Sequence, residues 1–245
     1  MKQTIRKRRD EIRIRAVPNW EPDRREEGPF LPLSTTDMVE LGHLGEIIEF
    51  KTPGTEIVSH GEKSTFLYLL TDGVVEADRT LHSGERQILA FYWPGDTFGL
   101  AENGVYVNSA RALTQCTVYR FPTQKLATLL LKHPTIQQNF LVKAVNDLRN
   151  AQRQIIMMGR FDVTERLAAF LLDCSGHERY FDANRRVLTL VMTRYDIADY
   201  IGTSAEGVTR ALSRLETQGL LRRLTPRTLE LTTSGLKAFV DFSDS

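Results

Sequence analysis

The side chains best placed to do chemistry lie within TRYDIADYIGTSAEGVTRALSRLETQGLL, residues 193–221. Ala205, Glu206, Thr209, Arg210 and Ser213 fall at helical spacing and share one face of a helix. The chemistry open to that face is the recognition of bases. A B-DNA major groove admits one α-helix; there an arginine reaches guanine O6 and N7 together, a glutamate accepts from cytosine N4, and a threonine methyl meets the thymine methyl. Thr193, Arg194, Ser204, Arg214, Arg222, Arg223 and Arg227 surround this face. They supply donors for phosphate oxygens, contacts that set register without reading sequence. Glu206 and Arg210 are also i,i+4 neighbours, and as a plain surface pair would contribute only roughly a few tenths of a kcal/mol.

Elements that could present such a face are written on either side of it. Thr193 caps a short helix whose apolar residues are Ile197, Ala198 and Ile201. Gly202-Thr203-Ser204 make a tight turn, and Ser204 caps a second helix that turns Val208, Leu212 and Leu215 inward. Two short helices joined by a glycine-containing turn form the helix–turn–helix pattern. Beyond Gly219, Leu220-Leu221-Arg222-Arg223-Leu224 and Thr228-Leu229-Glu230-Leu231 flank Thr225-Pro226-Arg227, which predicts two strands and their turn, a wing. Inside a winged helix–turn–helix, base reading outweighs the surface-pair explanation of Glu206 and Arg210.

Upstream, Phe161-Asp162-Val163-Thr164-Glu165 starts another helix, with Asp162 as N-cap and Glu165 in capping-box position. Val163, Leu167, Phe170 and Leu171 continue it at helical spacing. Gly159 is read as the break before it, so a domain boundary is expected at 159–162 and the winged domain at 161–245. A long helix is expected over 134–160, where Pro134 suits the first turn. Along it Leu141, Ala144, Leu148, Ala151, Ile155 and Met158 alternate at spacings of three and four. That is a coiled-coil seam, and it predicts a symmetric homodimer. Phe140, Val145 and Ile156 are then the face packed on the helix's own β-domain.

Residues 34–133 have the texture of an all-β sandwich or barrel. EIIEF (46–50), TEIV (55–58), FLYLL (66–70), VVEA (74–77), RQILAFY (86–92) and TVYRF (117–121) read as short strands with glycines at the joints. Thr71-Asp72-Gly73 is a turn before a strand and not a nucleophile. Residues 1–33 read as a flexible, solvated arm: Arg6, Lys7, Arg8, Arg9, Arg13 and Arg15 crowd its first half, and Pro18, Pro22, Pro29 and Pro32 punctuate the second.

Composition limits the remaining possibilities. The chain has 245 residues, with Lys plus Arg at 32 against 31 Asp plus Glu and a formal net charge of +1. A polycationic coat for nucleic acid is excluded, while a locally basic site is not. Cys116 and Cys174 are the only cysteines and cannot build a disulfide framework, a four-Cys zinc site or an all-Cys iron–sulfur site. No apolar run approaches a membrane span. The basic start, MKQTIRKRRDEIRIRAV, has no apolar region behind it and reads as no secretory signal. A cytoplasmic protein without membrane contact is expected. No Walker loop, GxSxG, HExxH or Cys–His pairing is present, so neither catalytic residues nor a resident metal or cofactor are expected.

The order of these segments resembles the CRP/FNR family of bacterial transcription regulators. PGTEIVSHGEKSTFLYLLTDGVVEA (53–77) resembles the start of that family's double-stranded β-roll, and ERQILAFYWPGDTFGL (85–100) its central strands. FDVTERLAAFLL (161–172) is similar to the helix opening its DNA-binding domain, and the TRYDIADYIG…EGVTR run resembles its helix–turn–helix. The resemblance implies an α+β chain: a cyclic-nucleotide-binding-like jelly roll, a long central dimerisation helix and a C-terminal winged helix–turn–helix. It implies double-stranded DNA, a second copy of the chain and RNA polymerase as partners, with activation or repression left open. The FNR/FixK branch carries Glu-x-x-Ser-Arg on its recognition helix; Glu206, Thr209 and Arg210 occupy those places, which implies a palindrome close to TTGAT half-sites. Gly207 replaces a residue that is Thr in most relatives, and glycine weakens a helix interior by ~1 kcal/mol relative to alanine.

The sensory side departs from the better-known members. Where a cyclic-nucleotide pocket needs a Glu after Gly99 and then an Arg-Ser pair, this chain has Leu100 and Asn108-Ser109, and Ala151-Gln152 stand where cAMP-binding relatives put hydroxyls. Neither cAMP nor an iron–sulfur cluster is therefore the expected signal. A FixK-like orphan, active without a ligand, is the favoured reading. Haem or nitric oxide sensing through His43, His60, His82, His133 or His177, thiol oxidation at Cys174, and a β-roll signalling module that acts through protein contacts are the alternatives.

Overall fold

The computed structural model describes residues 12–15 and 33–240. They form two compact units that meet between Leu148 and Arg149. The first opens with α1 (Thr35–Leu44), whose N-cap Ser34 and Asp37 bond each other's backbone N–H. Ten strands follow: β1 (Glu46–Phe50), β2 (Glu56–Val58), β3 (Phe66–Asp72), β4 (Val75–Thr80), β5 (Arg86–Tyr92), β6 (Thr97–Phe98), β7 (Ala101–Glu102), β8 (Val105–Tyr106), β9 (Ser109–Ala112) and β10 (Cys116–Pro122). One antiparallel sheet has the order β1-β10-β3-β6, the other β2-β9-β4-β5, and β7 and β8 pair with each other. This is the double-stranded β-roll the sequence leads one to expect. Each segment expected to be a strand is one; β6 to β9 are additions that short runs did not reveal.

Alternation along β3 and β10 divides the unit's core. Tyr68, Leu70 and Val118 point to one side and pack with Val58, Val75 and Phe98 between the sheets. Leu69, Tyr119 and Phe121 point to the other and meet Leu41 of α1 and Leu126 of α2 (Thr123–Lys132). Ile12 and Ile14 join this second cluster, each 1% exposed, and the Arg15 N–H donates to the Gly95 carbonyl at 2.9 Å. The expectation of a solvated arm is thus corrected at residues 12–15: Ile-Arg-Ile-Arg alternates, so one side of an extended chain can bury both isoleucines. The rest of the arm lies outside the described residues.

The helix α3 (Pro134–Arg160) has 27 residues, about 40 Å at 1.5 Å per residue. Its polarity is inverted. The buried stripe contains Ile136 and Met157 but also Asn139, Lys143, Asn146 and Arg153, while Leu141, Val145, Leu148, Ile155 and Ile156 are exposed. Lys143 is balanced by Asp96 at 3.3 Å and by a hydrogen bond to Asp147. Of the face assigned inward from sequence, Phe140 packs on the core. Val145 and Ile156 do not, because the helix turns its polar stripe inward instead.

The second unit holds the last turns of α3, then α4 (Val163–Ser175), β11 (Phe181–Asp182), β12 (Val187–Thr189), α5 (Arg194–Ile201), α6 (Ala205–Thr217), β13 (Leu221–Arg223), β14 (Thr228–Leu231) and α7 (Thr233–Phe239). The boundary falls upstream of 159–162 because those last turns pack on the helices that follow, and Gly159 sits inside the helix. Asp162 and Glu165 form the expected capping box on α4. Leu167, Phe170, Ile197, Ile201, Val208 and Leu212 share the buried interior. The strands form an antiparallel sheet ordered β11-β12-β14-β13, the wing included. No helix among the described residues is long and apolar enough to cross a membrane.

Candidate nucleic-acid interface

The turn between α5 and α6 shows why these residues stand where they do. Thr193 caps α5: its hydroxyl donates to Asp196 Oδ2 at 2.7 Å, and the same carboxylate takes the Thr193 N–H at 2.8 Å. At the other end Gly202 has φ 67° and ψ 58°, the left-handed conformation in which glycine carries no Cβ penalty. Ser204 Oγ then accepts the Gly207 N–H at 3.1 Å and caps α6. A Cβ on Gly207 would stand 2.3 Å from Thr203 Oγ1. The glycine that weakens this helix on propensity is therefore matched to the threonine that precedes the cap.

With Val208, Ala211, Leu212 and Leu215 buried, α6 turns Glu206, Thr209 and Arg210 to solvent and leaves Ala205 and Ser213 half-buried beside them. Glu206 is held below the usual carboxylate range by its own backbone N–H, the Ser204 hydroxyl and the Arg210 charge. Arg210 enters no ion pair among the described residues. Thr209 Oγ1 donates to the Ala205 carbonyl at 2.9 Å, Ser213 Oγ to the Thr209 carbonyl at 3.1 Å and Thr217 Oγ1 to the Ser213 carbonyl at 2.9 Å. These hydroxyl protons are spent within the helix.

The surrounding arginines divide into two kinds. Arg222 is held by Glu230, at 3.0 Å through Nε and 2.6 Å through Nη2. Arg223 Nε lies 2.7 Å from Glu216, whose carboxylate also takes the Arg223 backbone N–H and is held below its usual range by these bonds. Arg214 pairs with Asp162 at 3.3 Å. Arg194 is half-buried, with its pKa lowered by burial and then by Arg223, and its Nη2 donates to the Pro226 carbonyl at 2.8 Å. It braces the wing turn against the start of α5. Arg227 is exposed at the wing tip, and its side chain enters no ion pair among the described residues. Sequence reasoning overlooked Tyr195, 71% exposed next to Arg194; an aromatic on the polar side of a capped helix was the available signal.

Along α3 the seam residues Leu141, Ala144, Leu148, Ala151 and Ile155 are all exposed, with Ile155 at 72%. Met158 departs from them. It is half-buried, and its sulfur accepts from Arg166 Nη1 at 3.2 Å.

In the β-roll, Tyr68, Phe98 and Tyr92 stack with centroids 5.1 and 5.5 Å apart. A cavity beside them, lined in part by Tyr92, Phe98, Leu100, Asn108 and Ser109, has a volume of about 20 Å³, room for roughly one water. Ser109 Oγ is engaged by the His60 N–H at 3.0 Å. Among the described residues no cation lines this space to meet a phosphate, and no acid lines it to hold a ribose hydroxyl. Cys116 is buried, with Sγ donating to the Val74 and Thr114 carbonyls at 3.2 Å. Cys174 is buried too, and burial, with the Asp173 charge beside it, pushes its thiol well above the ordinary range. Oxidation needs an accessible thiolate, so Cys174 no longer stands as a redox candidate. His60 Nε2 is 2.9 Å from Arg79 Nη2, and His133 Nδ1 is 3.7 Å from Asp37.

Comparison with known proteins accords with this geometry. Residues 49–133 match the cyclic nucleotide-binding domain family and residues 165–238 the Crp-like helix-turn-helix domain family. The chain is similar to the nitrogen fixation regulation protein FixK of Bradyrhizobium diazoefficiens, 30% identical over 189 residues that cover 77% of this chain and 79% of the relative. It is also similar to the fumarate and nitrate reduction regulatory protein of Vibrio cholerae, 30% identical over 192 residues, 76% of this chain and 77% of the relative. The solved structure of FixK2 from Bradyrhizobium japonicum superposes with a TM-score of 0.72 at 30% identity, covering 82% of this chain and 99% of that one.

Proposed function

Since the chain belongs to the CRP/FNR family and is a FixK-like DNA-binding transcription regulator, we propose that it acts as a cytoplasmic homodimer on an FNR/FixK-type palindrome without cAMP. In this reading Glu206, Thr209 and Arg210 read base edges in the major groove, with Ala205 and Ser213 flanking them. The observation that carries it is the solvent-facing Glu206 and Arg210 on a capped recognition helix whose opposite side is fully buried. Arg227 meets phosphate directly. Arg214, Arg222 and Arg223 do so by exchanging Asp162, Glu230 and Glu216 for phosphate oxygens, while Thr193, Ser204 and Arg194 line the backbone path.

The apolar seam supports the homodimer. A helix that buries asparagines, a lysine and an arginine while exposing Leu141, Leu148 and Ile155 lacks an apolar partner among the described residues of its own chain. Pairing two such seams removes them from water, with Ala144 and Ala151 allowing close approach. The self-filled β-roll supports independence from a cyclic nucleotide, and RNA polymerase is the further partner.

A gel shift with the purified chain tests this reading, using a TTGAT palindrome with half-sites ~34 Å apart and a scrambled duplex, with and without cAMP. Tighter binding to the palindrome, unchanged by cAMP, is expected. Equal affinity for both duplexes would remove the base-reading claim, and a requirement for cAMP would remove the orphan claim. Leu148→Asp should give monomers in sedimentation; an unchanged dimer would place the interface elsewhere.

A further inference from the structure

Arg153, Gln154 and Met158 sit in the last turns of α3, inside the same compact unit as the winged helix. Buried Arg153 faces away from the seam, while Gln154 and the seam residue Met158 are half-buried at its edge. Buried Arg153 donates through Nη1 to Asp173 Oδ2 at 2.7 Å. Gln154 Nε2 donates to the Tyr200 carbonyl at 3.1 Å. Met158 Sδ takes the Arg166 guanidinium and lies so close to Gly202 that a Cβ there would be 3.3 Å from it. Their partners are thus α4, the end of α5 and the turn that leads into α6.

The placement of Asp173 shows that this attachment is built in. A carboxylate in the last turn of a helix meets the negative end of the peptide dipoles, and α4 carries no basic residue there. Burial further disfavours its charge, and Arg153 is what opposes that. The counter-charge comes from α3. Removing one member of a buried pair leaves the other uncompensated, so such a pair tolerates little sliding. Meanwhile Ala151 and Ile155, on the same turns, stay exposed on the seam.

We propose that Arg153, Gln154 and Met158 are positioning residues, a latch that fixes the recognition helix at one angle to the Ala151 and Ile155 turns of the same unit and so sets the half-site spacing the protein accepts. This rests on the homodimer reading above. The partners shown for the latch lie on α4, α5 and the turn at Gly202 and not on the base-reading face, so the latch carries no base preference of its own.

Fluorescence anisotropy on the full chain tests it, using four duplexes: the preferred palindrome, the same palindrome with one base pair added, the same with one removed, and a single half-site. One base pair rotates a half-site by about 35° and moves it about 3.4 Å relative to the other. The wild type is expected to bind the respaced palindromes about a hundredfold more weakly, as geometry forbids simultaneous engagement. Arg153→Met and Asp173→Asn should narrow that gap to within about threefold, with half-site affinity, base preference and sedimentation unchanged. The charge-reversed pair, Arg153→Asp with Asp173→Arg, should restore selectivity. Gln154→Ala removes one hydrogen bond and no buried charge; should the ion-pair variants not fold, it still shifts spacing selectivity in the same direction by a smaller factor. Folded variants that keep the wild-type spacing preference, or weaken every duplex alike with the half-site included, would overturn the latch. A wild type that binds the palindrome no better than a half-site would instead sink the homodimer reading, and the latch with it.

Discussion

In the β-roll, three aromatic rings stack across the interior beside a cavity with room for roughly one water; on α6, Glu206 and Arg210 stand in solvent. The two regions match domain families built around a bound partner, one a cyclic nucleotide and one DNA. In the first, uncharged Leu100 and Asn108 line the cavity and Tyr92 packs against the core. On the second, the Arg210 guanidinium enters no ion pair among the described residues, while the Thr209 and Ser213 hydroxyls bond back to the helix. In the proposed reading the β-roll serves as scaffold and the winged domain carries the chemistry.

The contrast breaks most readily at Phe98. Phe98→Ala empties the middle of the stack and should cost about 3–5 kcal/mol in urea unfolding; a loss under about 1 kcal/mol would mean that the interior is not closed. Arg210→Ala should leave stability within about 0.5 kcal/mol yet cost ~1–3 kcal/mol of palindrome binding and relax one base pair. Equal losses on scrambled DNA would make Arg210 a phosphate contact. Within the interface, Arg227→Ala should lower the slope of log affinity against log salt by about one per bound copy. Arg222→Ala should change it less, since Glu230 already neutralises that guanidinium; similar slopes for the two would erase the distinction between free and paired cations. The smallest effect belongs to Gly207. Gly207→Ala should gain nothing in thermal stability while Thr203 Oγ1 occupies the space, whereas adding Thr203→Ala should release up to ~1 kcal/mol of helix propensity.

The winged domain was legible because its signals are local. Asp162 with Glu165, Ser204 three residues before Gly207, and Gly202 at the turn each announce a helix end through side-chain chemistry within one turn. The strands β6, β7 and β8 were not, since a pair of residues shows no alternation. Ile12 and Ile14 did alternate, but among so many arginines the charge pattern masked the two buried positions. The fate of the arginines could not be read at all. Whether Arg222 meets Glu230 or Arg194 meets the Pro226 carbonyl depends on chain segments brought together by the fold. The buried polar stripe of α3 was hidden for the same reason, as Asp96 arrives from a distant turn to join Asp147 in balancing Lys143.

That inverted helix has a consequence for how much of the protein a cell must make. In the proposed homodimer two chains have to meet before either hides its oily flank, so at low abundance the paired form would grow as the square of the number of chains. A modest rise in synthesis then yields a disproportionate rise in occupied promoters, and dilution by growth reverses it. Quantity itself can serve as the message.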